Sequence, residues 1–223
     1  LLPQGQFGIA LPGGLQLLVD LTRAQIERYI NRDLPTRALL LLDLTNMFNC
    51  VSRQALRDAL LDTPQFTPLI AFFDLLYASP NHCYYRDPTG DLQHFLQTEG
   101  VAQGCPLGPA AGCLVLHLAK TQLQPIMDAL AAARTHQGHP GDDGAGTRSN
   151  TNSLIDDTTA LLHPPDIIPF LQAFQRIGTP LGLHLNYSKT KLLTTTTGTS
   201  VRDQAYTPHN AALIAALDYM RQQ

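Results

Sequence analysis

Apolar positions along the chain follow two rhythms. In LQLLVDLTRAQIERYINR, residues Leu17, Leu18, Leu21, Ile26 and Tyr29 recur at helical spacing, so the turn-rich opening GQFGIALPGG runs onto a helix that ends by Pro35. The next apolar run, RALLLLDL from Arg37 to Leu44, is continuous and too short for most helices. A strand buried on both faces accounts for it, with Asp43 near its end. Ser52 is a good N-cap for RQALRDALL, which breaks at Asp62 to Pro64, and PLIAFFDLLYA gives a second helix closed by Ser79-Pro80. Both helices are expected to cover the sheet. CYYRDPTGDLQHFLQTEG holds strand-like runs about Asp87-Pro88-Thr89-Gly90, the pattern of a hairpin.

Gly100 to Gly112 reads as a loop before a long helical pattern, CLVLHLAKTQLQPIMDALAAAR, bent or reset at Pro125. From Thr135 to Asn152 apolar residues nearly vanish, which predicts a solvated loop. Strand-like SLIDDTTALL follows, then a helix in IIPFLQAFQRIGTPLG and a short run, KTKLLTTTT. Strands and helices in mixed order, with hairpins, predict an α+β fold in which helices cover an antiparallel sheet. No internal repeat is visible.

Composition narrows the function classes. The 44% hydrophobic content of 223 residues can fill an ordinary core. No apolar run reaches the roughly 20 residues that span a bilayer, and the start lacks a basic leader before an apolar stretch. An intracellular protein of cytoplasm or nucleus, away from membranes, is the expectation. Cys50, Cys83, Cys105 and Cys113 form no CxxC pair, which favours reduced thiols over a structural zinc. The net charge of -3 argues against a sequence-independent grip on nucleic acid by these residues alone. Any phosphate-handling site would need metal ions or further basic parts. The chain does not begin with Met, so it reads as a fragment or a processed product.

Two acidic pairs are candidates for chemistry. Asp142 and Asp143 lie among glycines in the polar stretch, where water solvates them. Asp156 and Asp157 are instead pinned between Leu154-Ile155 and Ala160-Leu161-Leu162, at a hairpin tip emerging from the core. Carboxylates buried there without partners are costly unless a cation or donors compensate. Asp43 raises the same problem, with turn capping as its plain alternative. If the two strands are neighbours the carboxylates converge, and Mg²⁺, which takes a few carboxylates plus substrate phosphates, is the natural compensation.

Four ordered stretches then resemble the palm of the reverse transcriptases. DLTNMFNCVSR (43–53) is similar to their motif A, EGVAQGCPLGPAAG (99–112) to motif B, LIDD (154–157) to motif C and LGLHLNYSKTKLL (181–193) to motif D. QFGIALPGGLQLLV resembles the segment preceding motif A in some non-LTR retrotransposon enzymes. Leu154 departs from the family, which commonly has an aromatic there.

The resemblance implies a polymerase palm over residues 37–197, a fingers-side segment over 1–36 and a possible start of a thumb over 198–223, with the fingers partial and the thumb largely absent. It implies two Mg²⁺ ions, replaceable by Mn²⁺, on Asp43 and Asp156, with Asp157 as an additional carboxylate. It further implies substrate contacts from Leu44, Phe48, Gln103, Gly104 and Pro106. Phe48 would exclude a ribose 2'-hydroxyl, and Lys189 would serve the leaving pyrophosphate. The partners implied are an RNA template, a DNA primer and dNTPs. Two alternatives stand beside this reading: a domesticated scaffold that binds RNA or protein without polymerising, and an RNA-dependent RNA polymerase with Gly141-Asp142-Asp143 as motif C.

Overall fold

In the computed structural model, helix α1 (Gly14–Gln25) continues into a π-helical segment (Ile26–Ile30) and leads to strand β1 (Ala38–Leu42). The short helix α2 (Met47–Cys50) precedes α3 (Arg53–Asp62) and α4 (Ile70–Tyr77). A hairpin, β2 (Asn81–Arg86) and β3 (Leu92–Gln97), is followed by the long helix α5 (Gly108–Gln137). A second hairpin, β4 (Asn150–Leu154) and β5 (Asp157–Leu162), leads to α6 (Ile167–Gly178), β6 (Lys191–Leu193) and α7 (Pro208–Gln222). The structure describes residues 5–8, 11–30, 37–102, 104–137, 150–194 and 208–223.

The main sheet has the order β4-β5-β1-β6, and every pairing in it is antiparallel. Because side chains alternate across a strand, β1 serves two cores. Ala38, Leu40 and Leu42 join Ala160 and Leu162 in the large core with residues of α3, α5, α6 and α7. Leu39 packs on the other face with Leu161 and Ile30. The expectation of a strand buried on both faces therefore holds except at Leu41, which is 39% exposed and lies beyond the cover that Ile30 provides. Within α6, Phe170 and Phe174 are wholly or nearly buried, and Arg134 of α5 forms a buried ion pair with Asp166 just before it.

Several elements differ from the sequence reading for identifiable reasons. Helix α5 starts at Gly108 and passes through Pro125 without a break. Its buried stripe, Leu116, Ala119, Leu123, Met127 and Ala131, runs past the proline, and this packing outweighs the one lost backbone hydrogen bond. Strand β4 takes up Asn150 to Asn152 from the stretch expected to be a solvated loop, since its backbone pairs along β5 and the Ser153 hydroxyl meets that of Thr158 at 2.9 Å. Ser52 caps α3 as expected, accepting from the Ala55 amide at 3.2 Å. Helix α4 packs against α3. The β2–β3 hairpin forms its own two-stranded sheet with its turn at Asp87 to Gly90. Among the described residues no helix is long and apolar enough to cross a membrane.

Large-to-small substitution separates the core from the surface. Phe170→Ala is expected to lower unfolding free energy by about 3–5 kcal/mol, whereas Leu75→Ala, at a position 79% exposed, should change it by less than about 0.5 kcal/mol. Urea unfolding followed by circular dichroism measures both.

Candidate active site

The strand register brings the conspicuous carboxylates together. Leu42 pairs with Thr158 on one side of β5, and Leu154 pairs with Asp157 on the other, so the β4–β5 turn consists of Ile155 and Asp156 alone. Asp43 follows Leu42, and one further step along the antiparallel ladder sets it abreast of Asp157. All three carboxylates stand at the same end of the sheet. Asp43 and Asp156 are half-buried and Asp157 is exposed, less enclosed than their apolar flanks predict. The Asp157 carboxyl is still held above its ordinary range, first by the partial loss of solvent about it, then by the charges of Asp156 and of Asp43. On α5, the buried Cys113 thiol is pushed up to about 12 by burial and then by the Asp156 charge.

These hard oxygen donors suit Mg²⁺ or Mn²⁺, and a divalent cation offsets both the loss of solvent and the neighbouring negative charges that raise Asp157. Among the described residues no group of three His, Cys, Asp or Glu side chains forms a ready-made metal cage. An ion here would therefore take part of its oxygen shell from water or from a phosphate.

Two loops are fastened to this end of the sheet. The segment before β6 is zipped onto the residues after β1: Thr45 N–H donates to His184 O at 2.8 Å, Asn186 N–H donates to Asp43 O at 2.8 Å, and Asp43 N–H donates to Thr190 Oγ1 at 3.3 Å. Leu44 and Leu185 form an isolated bridge between them. Lys189 is exposed on this loop, tied to Asp43 through its neighbours. A cavity of about 580 Å³ lies between the loop and α7. Thr45 and Asn186 line it but no aspartate does, so the carboxylates lie outside this cavity.

The second loop approaches through the end of α2. Val101 N–H donates to Phe48 O at 2.6 Å and Gly100 N–H to Val51 O at 2.9 Å. Gly100, at φ +71°, lies so close to Asn49 that a Cβ would stand 2.3 Å from its carbonyl carbon. Buried Arg53 holds the loop from the other side, donating from Nε to Gly100 O at 2.8 Å and from its terminal nitrogens to Ser79 O and to Asn81 Oδ1. The half-buried Phe48 ring lies on Gly112, where a Cβ would come within 3.0 Å of Phe48 Cε1 and 2.5 Å of Met47 Cε. Gly104, at φ +85°, and Pro106 are exposed in the turn before α5. Gln103 and the Gly141 to Gly144 stretch lie outside the described residues.

Ile155 was not singled out from sequence. It is a β-branched residue at φ +59°, a conformation costing of order 1–3 kcal/mol, and it immediately precedes Asp156. Arg53, Thr190 and Gly112 were likewise missed, because their roles are long-range contacts that leave no local pattern.

No protein-family model matches the chain, and no curated protein matches it. Among solved structures the chain is similar to telomerase from Candida tropicalis in complex with the TWJ fragment of telomeric RNA, at 11% identity and a TM-score of 0.51 over 86% of this chain and 30% of that one. Apo telomerase from Candida tropicalis, truncated from its C-terminal domain, is similar at 12% identity and a TM-score of 0.55 over 87% of this chain and 37% of that one. Telomerase from Candida albicans in complex with the TWJ fragment gives 12% identity and a TM-score of 0.54, over 88% and 33%. At these identities the likeness is one of fold. The chain has a reverse-transcriptase-like palm fold of helices on an antiparallel sheet, and it spans about a third of the length of these telomerases.

The carboxylate cluster makes stability depend on pH. An acid that titrates higher in the folded state binds more protons there, so stability falls as pH rises from the unfolded value, about 3.9, through the raised one. Asp157→Asn should therefore raise the melting temperature at pH 7 in metal-free buffer, and the gain should vanish below about pH 4. Calorimetry of both proteins across this range measures the difference.

Proposed function

We propose that this chain is the palm of an RNA-directed DNA polymerase from a retroelement of the non-LTR type, adding deoxynucleotides to a DNA primer on an RNA template. One observation carries the reading: Asp43, Asp156 and Asp157, from segments far apart in sequence, stand at one end of the sheet in a reverse-transcriptase-like fold. The telomerases solved with a telomeric RNA fragment support RNA as a partner. The reading of Asp142 and Asp143 as the metal-binding pair loses ground, because the residue abreast of Asp43 is Asp157, directly after the Ile155-Asp156 turn.

In this proposal Asp43 and Asp156 hold two Mg²⁺ ions, with Mn²⁺ able to substitute, and Asp157 adds a further carboxylate. Such cations, when bound, favour ionisation of the primer 3'-hydroxyl and offset charge on the triphosphate and departing pyrophosphate. The chain's own groups bind and orient. Peptide groups from Leu44 to Phe48 face the triphosphate, and the loop hydrogen-bonded to Asp43 keeps that backbone fixed. Phe48, backed by Gly112 and Met47, has little room to retreat from a ribose 2'-hydroxyl, which favours deoxynucleotides. Gly104, with no side chain and open space about it, lets a template or nucleotide approach its backbone beside Gln103 and Pro106. Lys189, exposed on the loop tied to Asp43, supplies a cation for the leaving pyrophosphate.

Primer extension on an RNA template with Mg²⁺ tests the proposal, using the chain extended through its native flanks. Extension by dNTPs that disappears in Asp156→Asn is the expected result. A folded protein that binds primer–template yet extends in neither form would overturn it and favour a scaffold. Phe48→Ala should narrow the discrimination between dNTPs and rNTPs by at least about tenfold, equivalent to about 1.4 kcal/mol. Comparing kcat/KM for the two nucleotide classes measures it.

A further inference from the structure

The strained peptide before Asp156 is held by a side chain from the other end of the chain. Ladder pairing in the β4–β5 hairpin ends at Leu154 and Asp157, which leaves the Ile155 peptide groups to find other partners. The amide of Gln6 meets both. Its Oε1 accepts from Ile155 N–H at 2.9 Å, and its Nε2 donates to Ile155 O at 3.1 Å. The same Oε1 accepts from Gly8 N–H at 2.9 Å. With two N–H groups aimed at one amide atom and a carbonyl at the other, the orientation of the Gln6 amide is fixed by the network.

The segment carrying Gln6 is itself fastened. Gln6 bridges Ser153 in parallel, Phe7 N–H donates to Ser153 O at 2.7 Å, and Ser153 N–H donates to Gly5 O at 2.6 Å. Lys120 Nζ, from α5, donates to Gly5 O at 3.0 Å and to Ser153 Oγ at 3.4 Å. The flanking glycines permit the close approach. A Cβ on Gly5, at φ +92°, would stand 2.5 Å from Thr151 O, and one on Gly8 would stand 2.6 Å from Ile155 Cγ1. The spacing Gly5-Gln6-Phe7-Gly8 thus brings one long amide against the turn.

We infer that Gln6 is a positioning residue: it clamps the Ile155 peptide in its left-handed conformation and so sets the direction in which the Asp156 carboxylate projects. The inference rests on the reading above, in which Asp156 ligates the catalytic cation. Glutamine is the residue that can both accept from Ile155 N–H and donate to Ile155 O at this reach. A glutamate keeps the acceptor and loses the donor, and a methionine fills the space while losing both.

The test compares wild type with Gln6→Met and Gln6→Glu in the full chain, by Ile155 amide hydrogen exchange, Mn²⁺ titration, and primer extension as a function of Mg²⁺ and dNTP. For Gln6→Met the expected result is faster exchange at Ile155 and an Mn²⁺ affinity and kcat lowered about 10- to 100-fold, as for other partners that orient a metal ligand. The dNTP KM should stay near wild type, because no substrate contact is removed. Gln6→Glu, which preserves shape, should leave the Ile155 carbonyl with only the longer contact from the Cys113 thiol at 3.8 Å and lower kcat in the same way if Gln6→Met fails to fold. Unchanged Ile155 exchange and unchanged Mn²⁺ affinity in a folded variant would overturn the inference. If wild type neither extends nor binds Mn²⁺, while Gln6→Met still speeds exchange at Ile155, the polymerase reading fails and the clamp stands.

Discussion

The antiparallel register between β1 and β5 is the constraint on which the rest depends. With Leu42 opposite Thr158, the large core closes over Leu40, Ala160 and Leu162, and Asp43 comes level with the turn that carries Asp156. A slip of one residue would turn Leu40 and Leu42 away from α5 and α6 and part the carboxylates at the same time. Packing and site geometry are therefore one choice, made by the apolar run from Ala38 to Leu42.

That choice brings costs, which are met locally. Three carboxylates share one sheet end, and the Asp157 carboxyl is raised by the partial loss of solvent about it and then by the charges of Asp156 and Asp43. Ile155 is held at a positive φ that a β-branched side chain disfavours. The surroundings over-determine both features: the β6-side loop bonds to the Asp43 peptide on two sides, and Gln6 bonds to the Ile155 peptide on two sides. Hydrogen bonds to the backbone on each side of the carboxylates thus fix where Asp43 and Asp156 leave the main chain.

Much of this was legible in sequence, and the illegible parts share a cause. The apolar run RALLLLDL announced β1, Ser52 announced the start of α3, and Asp87 to Gly90 announced the β2–β3 turn, because each signal is local. Asn150 to Asn152 hid strand β4, since a polar segment becomes a strand only once a partner offers a ladder. Pro125 pointed to a break that the buried stripe of α5 overrides. The aspartates at the sheet end were visible as carboxylates set between apolar runs. Their supports, Gln6, Arg53, Gly112 and Thr190, act across long stretches of chain and have no periodicity to betray them.

In the proposed function Asp43 and Asp156 share divalent cations. Anomalous diffraction from crystals grown with Mn²⁺, primer–template and a non-hydrolysable dNTP tests it most directly. Manganese peaks between the carboxylates of Asp43 and Asp156 are the expected result. Manganese bound at Asp142 and Asp143 instead, or no peak beside Asp43 with the nucleotide in place, would contradict it.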